Sequence, residues 1–94
     1  MIKGNPWVWV VVVDPGRHEQ FLGQHDQERS VSFLPAFFEK EEAVKGLDRL
    51  TRDEGHTYEV QAIRYQDLAR NARAGGFVIF LLDGDGKVLE KVGI

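Results

Sequence analysis

Seven consecutive residues, Trp7-Val8-Trp9-Val10-Val11-Val12-Val13, are all β-branched or aromatic, and Asp14-Pro15-Gly16 closes the run. Such side chains lose rotamer freedom in a helix but pack well on a pleated surface. The run therefore reads as a β-strand ended by turn formers. Alternation puts Trp7, Trp9, Val11 and Val13 on one face and Val8, Val10 and Val12 on the other. Both faces are apolar. A strand of this kind needs cover above and below, so it belongs inside a sheet. It is about a third of the length a membrane-spanning helix requires. It is also too short and too β-branched for a signal-peptide core, and no membrane partner is expected.

The remaining elements must supply that cover. Phe77–Leu82 is a second fully apolar strand, and Asp83-Gly84-Asp85-Gly86 turns it into a terminal strand over Lys87–Val92, a hairpin pattern. Tyr58, Val60 and Ala62 alternate with Glu59, Gln61 and Ile63, which predicts a half-buried strand. Val31–Phe38 reads as a strand interrupted by Pro35, which places it at an edge or ends it near Leu34. Between Arg17 and Ser30 only Phe21 and Leu22 are large and apolar, and a short antiparallel strand followed by a loop is expected there.

Two helices complete the pattern. Glu39, Glu41 and Glu42 crowd the first turn of one expected over Glu39–Glu54, with Ala43, Val44, Leu47 and Leu50 facing inward and Gly55 as its stop. A shorter helix over Tyr65–Ala74 turns Leu68, Ala69 and Ala72 inward and ends at Gly75-Gly76. The order is β-(β)-β-α-β-α-β-β, an α/β fold (α+β as the alternative) with a mixed sheet of four to six strands and two helices. Parallel central strands and right-handed crossovers follow, with the two apolar strands adjacent or nearly so in the interior. Ninety-four residues make one domain, 1–94.

Composition removes several kinds of chemistry. A net charge of −3 repels a phosphate backbone, so no nucleic-acid partner is expected. With no cysteine, thiolate catalysis, disulfides and cysteine-held metals are excluded, and a reducing cytoplasm suits the chain. His18 and His25 share a polar segment with Glu19, Asp26 and Glu28, but no metal-binding spacing such as H-E-x-x-H occurs, and they read as ordinary loop side chains. Asp83-Gly84-Asp85-Gly86 resembles part of a calcium loop. In that alignment Leu81 and Val92 fall where the first and last acidic ligands belong, which leaves a hairpin turn. Neither a G-x-S-x-G elbow nor a glycine-rich loop preceding a helix is present. No cofactor, metal or catalytic residue is assigned, and an enzymatic role finds the least support.

Six side chains remain as candidates for binding. Trp7 and Trp9 share a strand face and either roof the core or present an aromatic patch to a partner. Arg64, Arg70 and Arg73 make a small basic surface around the second helix, either solvated or anion-binding. Phe21 is the aromatic side chain of the ambiguous segment. Two apolar sheet faces and only two helices leave one face thinly covered, which points to a second copy or a protein partner closing it. The competing expectation is that the segment around Phe21 and Leu22 folds over that face as a lid.

A resemblance adds to this reading. Phe33-Leu34-Pro35-Ala36-Phe37-Phe38-Glu39-Lys40-Glu41-Glu42-Ala43 looks like the segment of SseB-like proteins that leads from a strand through proline into phenylalanine and an acidic helix start. Val60-Gln61-Ala62-Ile63-Arg64-Tyr65-Gln66-Asp67-Leu68-Ala69, then Gly75-Gly76-Phe77-Val78-Ile79, resembles the same family's strand, short helix and apolar strand. The likeness spans most of residues 31–82. Where that bacterial enhanced-serine-sensitivity family typically has Asn-Pro after the last apolar strand, this chain has Leu82-Asp83-Gly84. The resemblance implies a small bacterial α/β domain with no assigned catalytic residues. The resulting expectation is a non-catalytic protein-interaction or regulatory module, as a homodimer or with a protein partner. The alternative is a small-molecule or anion-sensing domain with a pocket beside the second helix.

Overall fold

The apolar run forms β1 (Trp7–Val13) in the computed structural model, which describes residues 2–92. After it come β2 (Gln20–Phe21), β3 (Gln24–Asp26), β4 (Val31–Ala36), α1 (Lys40–Leu47) and β5 (Tyr58–Arg64). The chain continues through α2 (Tyr65–Gly75), β6 (Val78–Leu82) and β7 (Val88–Val92). The fold is mixed α/β, with two helices among the described residues, in the expected order. Among the described residues no helix is long and apolar enough to cross a membrane.

The strands divide between two sheets, β2-β1-β5 and β3-β4-β6-β7. Parallel pairing occurs between β4 and β6, and the other pairs are antiparallel. β1 is interior to the first sheet and β6 to the second, so the two apolar strands are not neighbours within one mixed sheet. The sheets meet at one residue pair, where Trp9 and Phe37 donate to each other's carbonyls at 2.8 and 2.9 Å. Contact there is so brief because the rest of that edge of β1 is taken. Phe21 and Gln20 pair with Val12 and Val13, and the Leu22 amide donates to the Val11 carbonyl.

Pro35 neither ends β4 nor puts it at an edge; the strand continues to Ala36 and pairs with β6 throughout Phe33–Ala36. The reason is parity. Successive residues of a strand aim their backbone groups at opposite edges. Phe37 bonds to Trp9 on the side away from β6, so Pro35, two residues earlier, turns its nitrogen to that side too. β3 has already ended opposite Phe33, and no ladder donor is needed.

Each sheet face carries one helix. On the first, Leu68 and Ala72 of α2 pack against Val8, Val10, Val12, Leu34, Ile79 and Leu81. On the other, Ala43 of α1 packs with Phe37, Phe80 and Leu82, and Trp9, Leu50 and Val60 lean on the group. Both clusters draw side chains from both sheets, so the single backbone bridge is backed by two shared cores. Burying a side chain as large as Phe37 contributes about 1.5–3 kcal/mol.

α1 is shorter than the expected Glu39–Glu54. Asp48 caps it, and Thr51 leaves the helical pattern because the Gln24 side chain takes both its amide and its carbonyl, each at 2.8 Å. Its inward stripe is also turned. Ala43 and Gly46 are buried while Val44 is exposed. A Cβ at Gly46 would lie 2.4 Å from Phe37 Cε2, so the absent side chain is what lets α1 sit on that ring. α2 matches its expected limits within a residue and stops at Gly76, whose φ of 78° is left-handed.

Candidate interaction edge and adjoining cleft

β5 pairs with β1 without a register break, from Trp7 opposite Arg64 to Val13 opposite Tyr58. The bridge to Phe37 shows that odd-numbered residues of β1 aim away from β5. Even-numbered Val8, Val10 and Val12 therefore bond to β5, through Ile63, Gln61 and Glu59. Tyr58, Val60 and Ala62 consequently direct their amides and carbonyls outward, at the end of the strand order, and Arg64 its amide, while the Arg64 carbonyl opens α2. Among the described residues no loop or strand bonds to Val60 or Ala62 on that side.

The other edges are less open. β2 has two residues and β3 three, and pairing between β6 and β7 is irregular at Leu81/Leu82, with Glu90 and Lys91 on the outer strand. Short strands, irregularities and charges are the usual means of blunting an edge. β5 has seven residues in unbroken register, and its centre, Val60-Gln61-Ala62-Ile63, carries no charge.

Trp7 and Arg64 meet at one end of this edge. The guanidinium carbon lies 4.3 Å from the Trp7 ring centroid, Nη1 donates to the Asn5 carbonyl at 3.1 Å, and Trp7 remains 55% exposed. Trp9 lies elsewhere, half-buried on the α1-side core with Lys40 Nζ 5.8 Å from its ring. The tryptophans share a sheet face, yet only Trp9 roofs the core. Arg70 is paired with Asp67 at 3.0 Å, and Arg73 is exposed in the last turn of α2. None of the three arginines lines the cleft beside α2.

Phe21 borders a cleft of about 530 Å³ beside α2. Val10, Val12, Ile63 and Phe77 give it apolar walls, while Gln61 and Asn71 add amides and Glu19 a carboxylate. Gly23 and Gly75 press on the Phe77 ring, where an added Cβ would come within 2.8 and 2.9 Å. Because Gln61, Ala62 and Ile63 line this cleft, it adjoins the open strand. Segment 17–30 gives the cleft Glu19, Gln20 and Phe21, at β2, whereas β3 is paired to β4 rather than lying as a loop.

One polar pair escaped the sequence reading. His56 Nδ1 lies 2.7 Å from Asp14 Oδ2, and Asp14 Oδ1 accepts the Thr57 amide at 3.0 Å. The Thr57 amide first, then the His56 ring, hold the Asp14 carboxyl below its ordinary range. The two residues stand far apart in sequence, and only the β1–β5 register, extended one step to Asp14 opposite Thr57, brings them together. His18 borders the same small depression, whereas His25 lies on β3 with Nδ1 3.4 Å from Ser32 Oγ. Tyr65 is pushed up by burial, with the Glu90 carboxylate adding to the shift.

Asp83-Gly84-Asp85-Gly86 makes the expected hairpin turn, and its carboxylates are engaged. Asp83 Oδ1 accepts the amides of Asp85 and Lys87 at 2.9 Å, Asp85 pairs with Lys45 at 3.0 Å, and the Gly84 amide donates to Glu42. Among the described residues no three histidine or carboxylate side chains converge as a metal site would require. Comparison with protein-family models, curated proteins and solved structures finds no match to this chain.

Proposed function

We propose that this chain is a protein-interaction module that receives an extended strand along the outer edge of β5. The supporting observation is the seven-residue strand whose outward amides and carbonyls at Val60 and Ala62 have no partner among the described residues. Strand addition takes affinity from main-chain hydrogen bonds and selectivity from side chains on either face. The Trp7–Arg64 stack is placed to meet the arriving strand on one face, and the rim of the Phe21 cleft on the other.

Proline substitution tests this reading. Ala62→Pro removes an outward donor, and the preceding Gln61 is already extended as a residue before proline must be. The variant should retain its melting temperature within a few degrees and lose binding to strand-forming peptides. Gln61→Pro, which removes a donor used by β1, should lower the melting temperature well beyond the change seen in Ala62→Pro. Equal peptide binding by Ala62→Pro and the parent would refute strand addition at this edge.

The cleft supports a second reading, a small-molecule sensor. Its volume of about 530 Å³ and its apolar walls with few polar groups suit a compact ligand. The lining includes Glu19 and no basic side chain, which favours a neutral or cationic amphipathic molecule over the anion expected from the arginines. A ligand seated there should perturb the Phe77 ring signals; binding that leaves them unmoved would exclude this site.

A further inference from the structure

Resting on strand addition at β5, we propose that the arriving strand is β5 of a second copy. It pairs antiparallel about Gln61, so that two three-stranded sheets fuse into one ordered β2-β1-β5-β5-β1-β2.

The outward set Tyr58, Val60, Ala62 and Arg64 is symmetric about Gln61. A two-fold axis there sets Val60 opposite Ala62 of the second copy, each pair exchanging two backbone bonds, and Tyr58 opposite Arg64, whose amide is free to donate while its carbonyl opens α2. Every one of the seven residues of β5 then has an opposite. Moving the axis to Val60 or Ala62 preserves the bonding parity but leaves a strand end unopposed.

This register sets no like charges against each other. Glu59 faces Ile63 of the second copy, Arg64 faces Tyr58, and Gln61 faces itself. Arg64 already lies on the Trp7 ring, and the second copy's Tyr58 would close its other side. Tyr58 is held for that contact by its hydroxyl, which donates to the Asp53 carbonyl at 2.6 Å. The net charge of −3 on each copy opposes association mainly at low salt, because at physiological ionic strength it is screened beyond about 8 Å. The other edges compete poorly, being short or irregular.

A chain without cysteine allows single-cysteine mapping. Opposed residues in a non-hydrogen-bonded antiparallel pair have Cα atoms about 4.5 Å apart, within the roughly 4.4–6.8 Å that a disulfide spans. Under mild oxidation Gln61→Cys should cross-link with itself. Glu59→Cys and Ile63→Cys should each stay monomeric alone and cross-link when mixed. Charge exchange gives a second measurement: Gln61→Glu and Gln61→Lys should each weaken self-association by about tenfold or more, and an equimolar mixture should recover it. Sedimentation of the parent should shift from the 10.7 kDa chain towards twice that mass as concentration rises into the hundred-micromolar range. A parent that stays monomeric throughout, or Glu59→Cys cross-linking as well as Gln61→Cys, overturns the second-copy inference. Binding of strand-forming peptides that is lost in Ala62→Pro would then still uphold strand addition, whereas absence of both would remove the two together.

Discussion

Trp9 and Phe37 exchange both of their backbone hydrogen bonds, and through that one pair the sheet carrying the open β5 edge is joined to the sheet carrying β6. The Phe37 ring beneath it is fully buried, with Gly46 of α1 against it. Gly46→Ala would drive a methyl group into Phe37 Cε2, at 2.4 Å before relaxation. Overpacking of this kind costs about 1–3 kcal/mol, despite the alanine's better helix propensity of about 1 kcal/mol. Chemical denaturation should show a lower midpoint for Gly46→Ala. An unchanged or higher midpoint would mean that α1 does not sit on the ring as described.

The tryptophans should report separately. Trp7 is 55% exposed and Trp9 is half-buried over the α1-side core. In Trp9→Phe the remaining indole should be quenched readily by acrylamide, and in Trp7→Phe much less. Arg64→Ala should cost about 0.5–1 kcal/mol through loss of the cation–aromatic contact and leave Trp7 more accessible. Equal quenching of the two indoles in dilute solution would contradict the separation of their environments.

Acid stability should depend on Asp14. Its carboxyl is held below the ordinary aspartate value of 3.8 by the Thr57 amide and then the His56 ring. A group whose folded pKa is depressed stabilises the fold above its unfolded pKa and loses that contribution as pH falls through the folded value. Asn tolerates the left-handed φ of 53° at this position, so Asp14→Asn changes the charge without straining the turn. Urea midpoints should therefore differ most above about pH 4 and converge towards pH 2. A gap that stays constant over that range would show that the carboxylate contributes nothing specific.

Much of the fold was legible because its signals are local. Trp7–Val13 and Phe77–Leu82 announce interior strands by composition alone, and Gly75-Gly76 marks the end of α2. What the sequence obscured depends on distant partners. The chain after α1 does not resume the helix expected to Glu54, because Gln24, on a strand 27 residues away, takes the backbone of Thr51. Pro35 is tolerated inside β4 because β3 stops opposite Phe33. Val44 belongs to the helical stripe by spacing, yet Gly46 packs under Phe37 and turns it outward.

The candidate site was legible only in fragments. Trp7, Arg64 and Phe21 stand out as residue types, but nothing local places Trp7 beside Arg64 or Phe21 on the rim of a cleft next to β5. The open edge itself has no signature in the sequence. Tyr58–Arg64 reads as an ordinary half-buried strand, and whether a strand lies at an edge is decided by the pairing of the whole sheet.

Amide hydrogen exchange, resolved by residue, tests the β5 edge most directly. In the dilute monomer Glu59, Gln61 and Ile63 donate to β1 and should exchange slowly, while Val60 and Ala62 face solvent and should exchange fast. When the edge is occupied, by a strand-forming peptide or by a second copy at high concentration, protection of Val60 and Ala62 should rise by at least tenfold, with the other three little changed. Slow exchange of Val60 and Ala62 already in the dilute monomer would contradict it, as would partner binding that leaves these two amides unprotected.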